Sequence, residues 1–299
     1  MSSIPQLAIR TVLFAMDVSP ASLRAFHYSS EIARRYGATL LIADIVSAEE
    51  KQLAEYRRVK DSIEEEIRKS SRKSEDAEIR DPHRNVTIKR GGIGSLLAVG
   101  TAPQSADLIV LGTHGWTGLM KISEGSKAEE IAHSVTVPVL TIGPKVSRGP
   151  EFKRLLCVTD FSSTAAKAVP YAVSLAREYG AHLDVLHVND HRTGESPREA
   201  AEGMSKFVRD EIKGHGFGDV LGREELQYGE RTERIVQHAA DRNVDLIVVG
   251  QKRTSRILAR VAAHLPGGVA YNLAVQARCA VLTVPDSAQV LQENESEPN

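Results

Sequence analysis

The chain has 299 residues, and its 38 Lys and Arg nearly balance 39 Asp and Glu. This length is typical of about two domains, and the composition is that of an ordinary globular protein, not of a disordered one. The charge balance excludes an overall field that would draw the molecule onto nucleic acid or an anionic membrane.

The amino-terminal segment MSSIPQLAIR has no basic region followed by an apolar one, and no apolar run approaches the length of a membrane span. We therefore expect a cytoplasmic protein with neither nucleic-acid nor membrane partners.

Short apolar runs alternate with amphipathic segments along the first half of the chain. The pattern predicts strands near 11–16, 39–46, 86–90, 107–112 and 138–142, and helices near 20–36, 49–73, 93–103 and 126–134. Runs such as TVLFAM and DLIVLG are continuously apolar, as in parallel strands covered on both faces. The alternation predicts an α/β fold with a doubly wound open parallel sheet and helices on both faces.

In such a sheet a ligand binds beyond the carboxyl ends of the strands, where the strand order reverses. This rule predicts a ligand site at two loops: the loop with MDVSP after the first strand and the loop with GTHGWTG after the fourth. The highly charged segment 49–83 has mixed signs and a sparse apolar stripe that includes Val59 and Ile63. It indicates a solvated helix docked along one side, not a basic nucleic-acid arm.

The chain is an internal duplication. IARRYGATLLIADIV (32–46) matches LAREYGAHLDVLHVN (175–189), ADLIVLGTHG (106–115) matches VDLIVVGQKR (244–253), and VTVPVLTIGP (135–144) matches ARCAVLTVPD (277–286). We expect a first domain over 1–147, a second over 148–286 and a polar tail over 287–299. Cys157 and Cys279 each lie inside a strand-like apolar run, which favours buried free thiols over a disulfide.

The stretch GTHGWTGLMKISEGS (112–126) carries four glycines directly after an apolar strand. Ser126 and Glu129 have the spacing of a capping box, which predicts a helix start whose free N–H groups face the loop and suit phosphate oxygens. Glycines after strands are also common in plain turns, so the glycine spacing alone leaves both interpretations open.

Several motifs together resemble the universal stress protein family. The spacing G-x2-G-x9-G-S, met by Gly112, Gly115, Gly125 and Ser126, resembles its nucleotide-binding signature. The aspartates Asp17 and Asp160 after the first strand of each copy, and the final VPVL strand, are similar to that family in the same order. The resemblance covers nearly the whole of both copies and implies two tandem five-stranded sheets of strand order 3-2-1-4-5.

The resemblance also implies the ligand, which is ATP, with or without Mg²⁺. By this resemblance Asp17 faces the nucleoside and Ile45 meets the adenine through its backbone. The remaining residues implied by the resemblance surround ribose and phosphates: Gly112, Gly115, Gly125, Ser126 and the amide of Lys127. His114 is a further candidate binding residue because it flanks Gly115, where it could reach either a phosphate or the solvent. The chain departs from many members after the first-strand aspartate, where Val18 and Phe161 replace glycine and make the loop less permissive.

The second copy departs further from the signature. Gly250 is present, but Arg253 replaces the second glycine, four extra residues precede Gly267 and Gly268, and the serine is lost. Lys252, Arg253, Arg256 and Arg260 could contact phosphates directly. The simpler interpretation is a degenerate site with solvated charges.

The implied function is a stress-response protein that binds ATP in its first domain and acts as a nucleotide-dependent regulator or sensor. A Walker-type P-loop is absent, and no set of metal ligands, nucleophile and cations lies near the loop, so we expect at most slow hydrolysis. Two alternatives stay open: a nucleotide-free scaffold that dimerises through its fifth strands, and a cyclic AMP sensor. The family implies pairing of fifth strands, either in a homodimer or between the two domains of one chain.

Overall fold

The computed structural model describes residues 7–16, 21–44, 54–73, 87–90, 106–113, 136–252 and 268–288. The strands of the first half are β1 (Thr11–Met16), β2 (Thr39–Asp44), β3 (Thr87–Arg90), β4 (Leu108–Gly112) and β5 (Val139–Ile142), with helices α1 (Ser22–Tyr36) and α2 (Ala54–Lys73). The helices predicted near 93–103 and 126–134 lie outside the described residues.

The second half repeats this order. Its strands are β6 (Arg154–Thr159), β7 (His182–Asn189), β8 (Leu221–Tyr228), β9 (Leu246–Gln251) and β10 (Ala280–Pro285). Its helices are α3 (Ser163–Tyr179), α4 (Pro197–Phe207, continued by a π-helical turn over Val208–Lys213), α5 (Arg231–Asp241) and α6 (Val269–Gln276). Within the described parts of the chain, no helix is long and apolar enough to cross a bilayer.

Both halves have the predicted strand order 3-2-1-4-5, and all pairs within a half are parallel. The continuously apolar runs are buried, as in β4, where all five residues are buried. In α2, Ile63 is buried and Val59 packs against the core, while the charged residues around them are exposed or half-buried. The prediction of parallel strands covered on both faces is therefore confirmed.

The two halves form one ten-stranded sheet. β5 pairs with β10 in antiparallel orientation, with Leu140 opposite Leu282 and Thr141 opposite Val281. The fifth strands thus meet inside one chain, the second of the two arrangements that the family implied. Because both strands are flanked on each side, neither offers a free edge to another chain.

The seam between the halves continues on one face of the sheet through aromatic rings. Phe152 is 2% exposed and packs between Tyr28 of α1, at 6.0 Å, and Tyr179 of α3, at 4.8 Å between ring centroids. The Tyr28 hydroxyl donates to the backbone carbonyls of Arg148 and Gly149. Segment 143–152 is therefore anchored at the seam through Phe152 and the backbone carbonyls of residues 148 and 149.

The repeated YGA motif ends the first helix of each half. Gly37 and Gly180 adopt left-handed backbone conformations, with φ of 61° and 60°, and each caps the carbonyls of the preceding turn. A side chain is strained in this conformation, so glycine is the residue that ends these helices sharply.

The repeated DLIV motif ties the start of one strand to its neighbour. Asp107 accepts hydrogen bonds from the backbone N–H groups of Arg10 and Thr11 at 2.6 and 2.8 Å. Asp245 accepts from residues 153 and 154 at 3.0 Å each. Each aspartate therefore satisfies backbone donors at the amino end of the first strand in its half.

The two aspartates differ in their further partners. Asp245 is also 2.7 Å from the guanidinium of Arg148, whose side chain bonds the Asn243 carbonyl as well. For Asp107, burial raises the pKa of the carboxyl, against the lowering effect of the two N–H groups. We expect Asp245→Asn to lower the free energy of unfolding by about 1–2 kcal/mol more than Asp107→Asn, because it removes a charge-assisted contact. Urea unfolding of both variants measures this difference, and equal losses would contradict it.

The two cysteines are buried and free. Cys157 on β6 lies opposite Val248 of β9, and Val248 lies opposite Leu282 of β10, the strand that begins directly after Cys279. Burial raises the pKa of each thiol to about 12. The prediction that the pair forms no disulfide is confirmed, and both thiols are protonated at neutral pH.

Candidate functional site

The carboxyl ends of β1 and β4 lie side by side at the point where the strand order of the first half reverses. Ala15 is opposite Leu111, and β4 ends one residue later at Gly112. From β1 the chain proceeds to β2 on one side, and from β4 to β5 on the other. This geometry is the one in which α/β sheets form a crevice for ligands.

Of the predicted binding residues, Gly112 is described, and it lies buried beside Ile142 of β5. The others lie outside the described residues: Asp17, Ile45, His114, Gly115, Gly125, Ser126 and Lys127. Asp17 and Ile45 are nevertheless the first residues after β1 and β2, and His114 follows Gly112 by two positions. Their roles remain predictions.

The second half shows the equivalent edge in detail. Val158 of β6 is opposite Val249 of β9, so the same reversal of strand order occurs there. After β6, the exposed Asp160 accepts a hydrogen bond from the Ser162 N–H at 3.1 Å. The Ser162 hydroxyl in turn caps α3 by accepting from the Ala165 N–H at 3.1 Å. The side chain of Asp160 therefore stabilises its own turn.

Phe161 occupies a left-handed conformation in this turn, with φ of 61°. For a bulky residue the conformation costs about 1–3 kcal/mol and persists where surrounding contacts hold it. The Phe161 ring stacks on His187 at 4.1 Å between centroids, and a Cβ on Gly203 of α4 would come within 2.7 Å of it. Phe161, which stands where many family members have glycine, therefore lies in a strained turn that an aromatic contact holds in place.

Gly250, the counterpart of Gly112, is required by packing. A Cβ at this position would lie 2.3 Å from the Thr164 carbonyl oxygen in the first turn of α3. This glycine, the second-last residue of β9, therefore has a structural role that needs no ligand. At Gly268, the N-cap of α6, a Cβ would meet no described atom within 4 Å, so packing does not force the loss of the serine there. Arg253, Arg256, Arg260 and Gly267 lie outside the described residues.

His187 is an interior residue with both ring nitrogens in contact with acceptors. Nδ1 donates to the Thr159 carbonyl at 2.9 Å, and Nε2 is 2.8 Å from a carboxylate oxygen of Glu195. The interpretation of His187 as a satisfied interior residue, not a ligand, agrees with this geometry. Its partner Glu195 was not foreseen, because nothing in the sequence indicates which side chain of the 190–196 loop folds back onto β7.

His238 is a second buried histidine, and it favours the neutral state. The Gln227 side-chain amide donates to its Nδ1 at 2.9 Å, while its Nε2 has no partner among the described residues. Burial lowers the pKa of His238, outweighing the opposing effect of the Glu225 carboxylate.

This histidine predicts a loss of stability in acid. Below about pH 6.5 the unfolded chain binds a proton at this position that the folded chain resists, so stability falls as the pH falls towards the folded pKa. We expect His238→Gln to lose less stability than the wild type between pH 7 and pH 5. Urea midpoints at the two pH values measure this, and identical losses would assign the acid sensitivity to other groups.

Comparison with known proteins extends the likeness to the whole chain. The model of the Universal stress protein family matches residues 8–143 and 151–285. Universal stress protein YxiE of Bacillus subtilis (strain 168) is 28% identical over 158 residues, which cover 44% of this chain and 99% of that protein.

Solved structures share the tandem fold. A universal stress protein from Archaeoglobus fulgidus DSM 4304 covers 92% of this chain and 96% of its own, with a TM-score of 0.65 at 17% identity. A functionally unknown protein from Pseudomonas aeruginosa PAO1 covers 94% of both, with a TM-score of 0.59 at 16% identity. The resemblance inferred from the motifs is confirmed, and the chain belongs to the universal stress protein family, with two family domains in tandem.

Proposed function

We propose that the first domain binds an adenine nucleotide, ATP, at the carboxyl ends of β1 and β4. The observation that carries the proposal is the position of β4 beside β1 at the strand reversal, with the complete G-x2-G-x9-G-S spacing beginning at its last residue, Gly112. A signature alone matches easily by chance, whereas this one begins at the edge where such sheets take ligands.

In this proposal different residues bind different parts of the nucleotide. Asp17 faces the nucleoside, and the backbone of Ile45 meets the adenine. The glycine loop and the helix expected from Ser126 hold ribose and phosphates, because free N–H groups and the positive end of a helix favour anionic oxygens. His114 and the Lys127 amide are further phosphate donors.

The second domain is proposed not to bind nucleotide in this way. Its glycine spacing is interrupted at Arg253, and in place of a permissive glycine its first turn has Phe161, whose ring is already stacked on His187. We therefore expect one nucleotide per chain.

The bound nucleotide is proposed to regulate contacts with partners during stress, with little or no hydrolysis. The scaffold alternative assigned dimerisation to the edges of the fifth strands, and these edges are paired within the chain. A homodimer would need a different surface, so this part of the scaffold hypothesis loses its main support.

The proposal is tested by purifying the full chain without added nucleotide, denaturing it, and quantifying released adenine nucleotides by chromatography and mass spectrometry. We expect about one ATP per chain, since a nucleotide that dissociates slowly survives purification. Release of cyclic AMP instead would reject ATP as the ligand and favour the cyclic AMP sensor. No release, followed by no binding when ATP is added back, would reject nucleotide binding altogether.

A further inference from the structure

A chain of contacts at the carboxyl edge of the second domain joins two loops through His187. On one side its Nδ1 bonds the carbonyl of Thr159, the last residue of β6. On the other side its Nε2 contacts Glu195, in the loop between β7 and α4. The His187 side chain is only 4% exposed, so solvent does not substitute for either partner.

The hydrogen-bond count of this arrangement requires an additional proton. A backbone carbonyl accepts and cannot donate, so Nδ1 must carry a hydrogen. The remaining nitrogen of a neutral ring is then an acceptor, yet it lies 2.8 Å from a carboxylate oxygen, which is also an acceptor when ionised. The contact is a hydrogen bond only if His187 and Glu195 together hold one proton in excess of a neutral imidazole beside a carboxylate.

Few other described groups near the His187 ring could satisfy its Nε2 in place of this proton. The residue opposite His187 on β8 is Leu226, and the ring stacked on it is that of Phe161. From α4, Gly203 and Phe207 pack against Phe161. The charged residues nearest in the same loop, Asp190 and Arg192, are paired with each other. Among the described contacts of the His187 ring, Glu195 is therefore the one charged group.

We propose that His187 and Glu195 form a proton-dependent latch over the carboxyl edge of the second domain. With the shared proton present, the latch ties the 190–196 loop to the end of β6 and holds the strained turn of Phe161. Once the shared proton is lost, two acceptors face each other and the contact between His187 and Glu195 releases, while Nδ1 keeps its bond to the Thr159 carbonyl. The turn to which the latch is anchored, 159–162, is the sequence counterpart of the segment that contains Asp17, but the proposal does not depend on nucleotide binding.

A second hydrogen bond holds the same loop and does not depend on pH. The side-chain amide of Asn189 donates to the Glu195 backbone carbonyl at 3.0 Å, and this bond involves no titratable group. Release of the latch should therefore loosen the 190–196 loop without detaching it completely.

The test is hydrogen exchange of the full chain, read by mass spectrometry at about pH 6 and about pH 8 and corrected for the intrinsic pH dependence of exchange. In the wild type we expect protection over 190–196 to fall by about tenfold at the higher pH, as for loss of one charge-assisted hydrogen bond. Peptides from β10 serve as an internal control and should not change.

Two variants separate the latch from general loosening. In Glu195→Gln, the amide can donate to a neutral His187, so protection should become independent of pH. In Asn189→Ala, protection should fall at both pH values and keep the wild-type pH dependence. Wild-type protection that is equal at both pH values would overturn the proposal, as would a Glu195→Gln variant as sensitive to pH as the wild type.

Discussion

Gly115→Arg is expected to abolish tight ATP binding without unfolding the protein. The substitution copies Arg253 of the second repeat into the intact loop of the first. A long side chain at the second glycine of the signature would fill the space in which the backbone approaches the phosphates, and its charge would not compensate for the lost amide contacts. We expect the affinity to fall by at least about 100-fold, or about 2.7 kcal/mol, in a calorimetric titration of nucleotide-stripped protein.

A matched control is available in the same loop. Gly118 lies three residues further on but outside the G-x2-G-x9-G-S spacing. Gly118→Arg adds the same charge and bulk to the same segment, so we expect it to retain most of the affinity. Equal loss in both variants would indicate a general effect of charge or loop conformation, and unchanged affinity in Gly115→Arg would remove the phosphates from the proposed position.

Phe152→Ala is expected to lower the free energy of unfolding by about 3–5 kcal/mol, the range for removing a buried aromatic ring. The ring lies between Tyr28 of the first half and Tyr179 of the second, so its loss leaves a cavity at the seam. Neither α1 nor α3 can close this cavity without moving relative to the ten-stranded sheet. The effect should therefore be at the upper side of what a single substitution causes.

Urea unfolding followed by far-ultraviolet circular dichroism measures this loss. Tyr228→Ala is the control, because Tyr228 on β8 is 51% exposed and its removal should change stability by no more than about 0.5 kcal/mol. If the seam couples the two halves, the wild type unfolds in one transition and Phe152→Ala broadens or divides it. A loss below about 1 kcal/mol would show that the seam does not depend on this ring.

The strands were predictable from sequence because parallel strands buried on both faces need continuous apolar runs, and β1, β4 and β10 have them. The edge on which the candidate site lies was predictable because ligands of such sheets bind at the carboxyl ends of the parallel strands. The strand order itself came from the family resemblance, and the structure agrees with it.

Other features depended on contacts between distant parts of the chain. The sequence left open whether the fifth strands pair within the chain or between chains, because an apolar strand can pair equally well in either case. It also indicated that Phe161 was unusual without indicating where its ring would lie. The partner of His187 is set by how the 190–196 loop returns over β7, which no local pattern encodes.

The sequence by itself determined the duplication, the α/β class, the edge of the sheet at which a ligand is expected, and the difference between the two glycine loops. These properties follow from local patterns of apolar residues and glycine spacing, which act over a few residues. The tertiary structure decided the joining of ten strands into one sheet, the packing role of Gly250 and the His187–Glu195 contact. Each of these arises from atoms brought together by strand register and helix packing across long sequence separations, or by a loop that folds back, so only the folded chain specifies them.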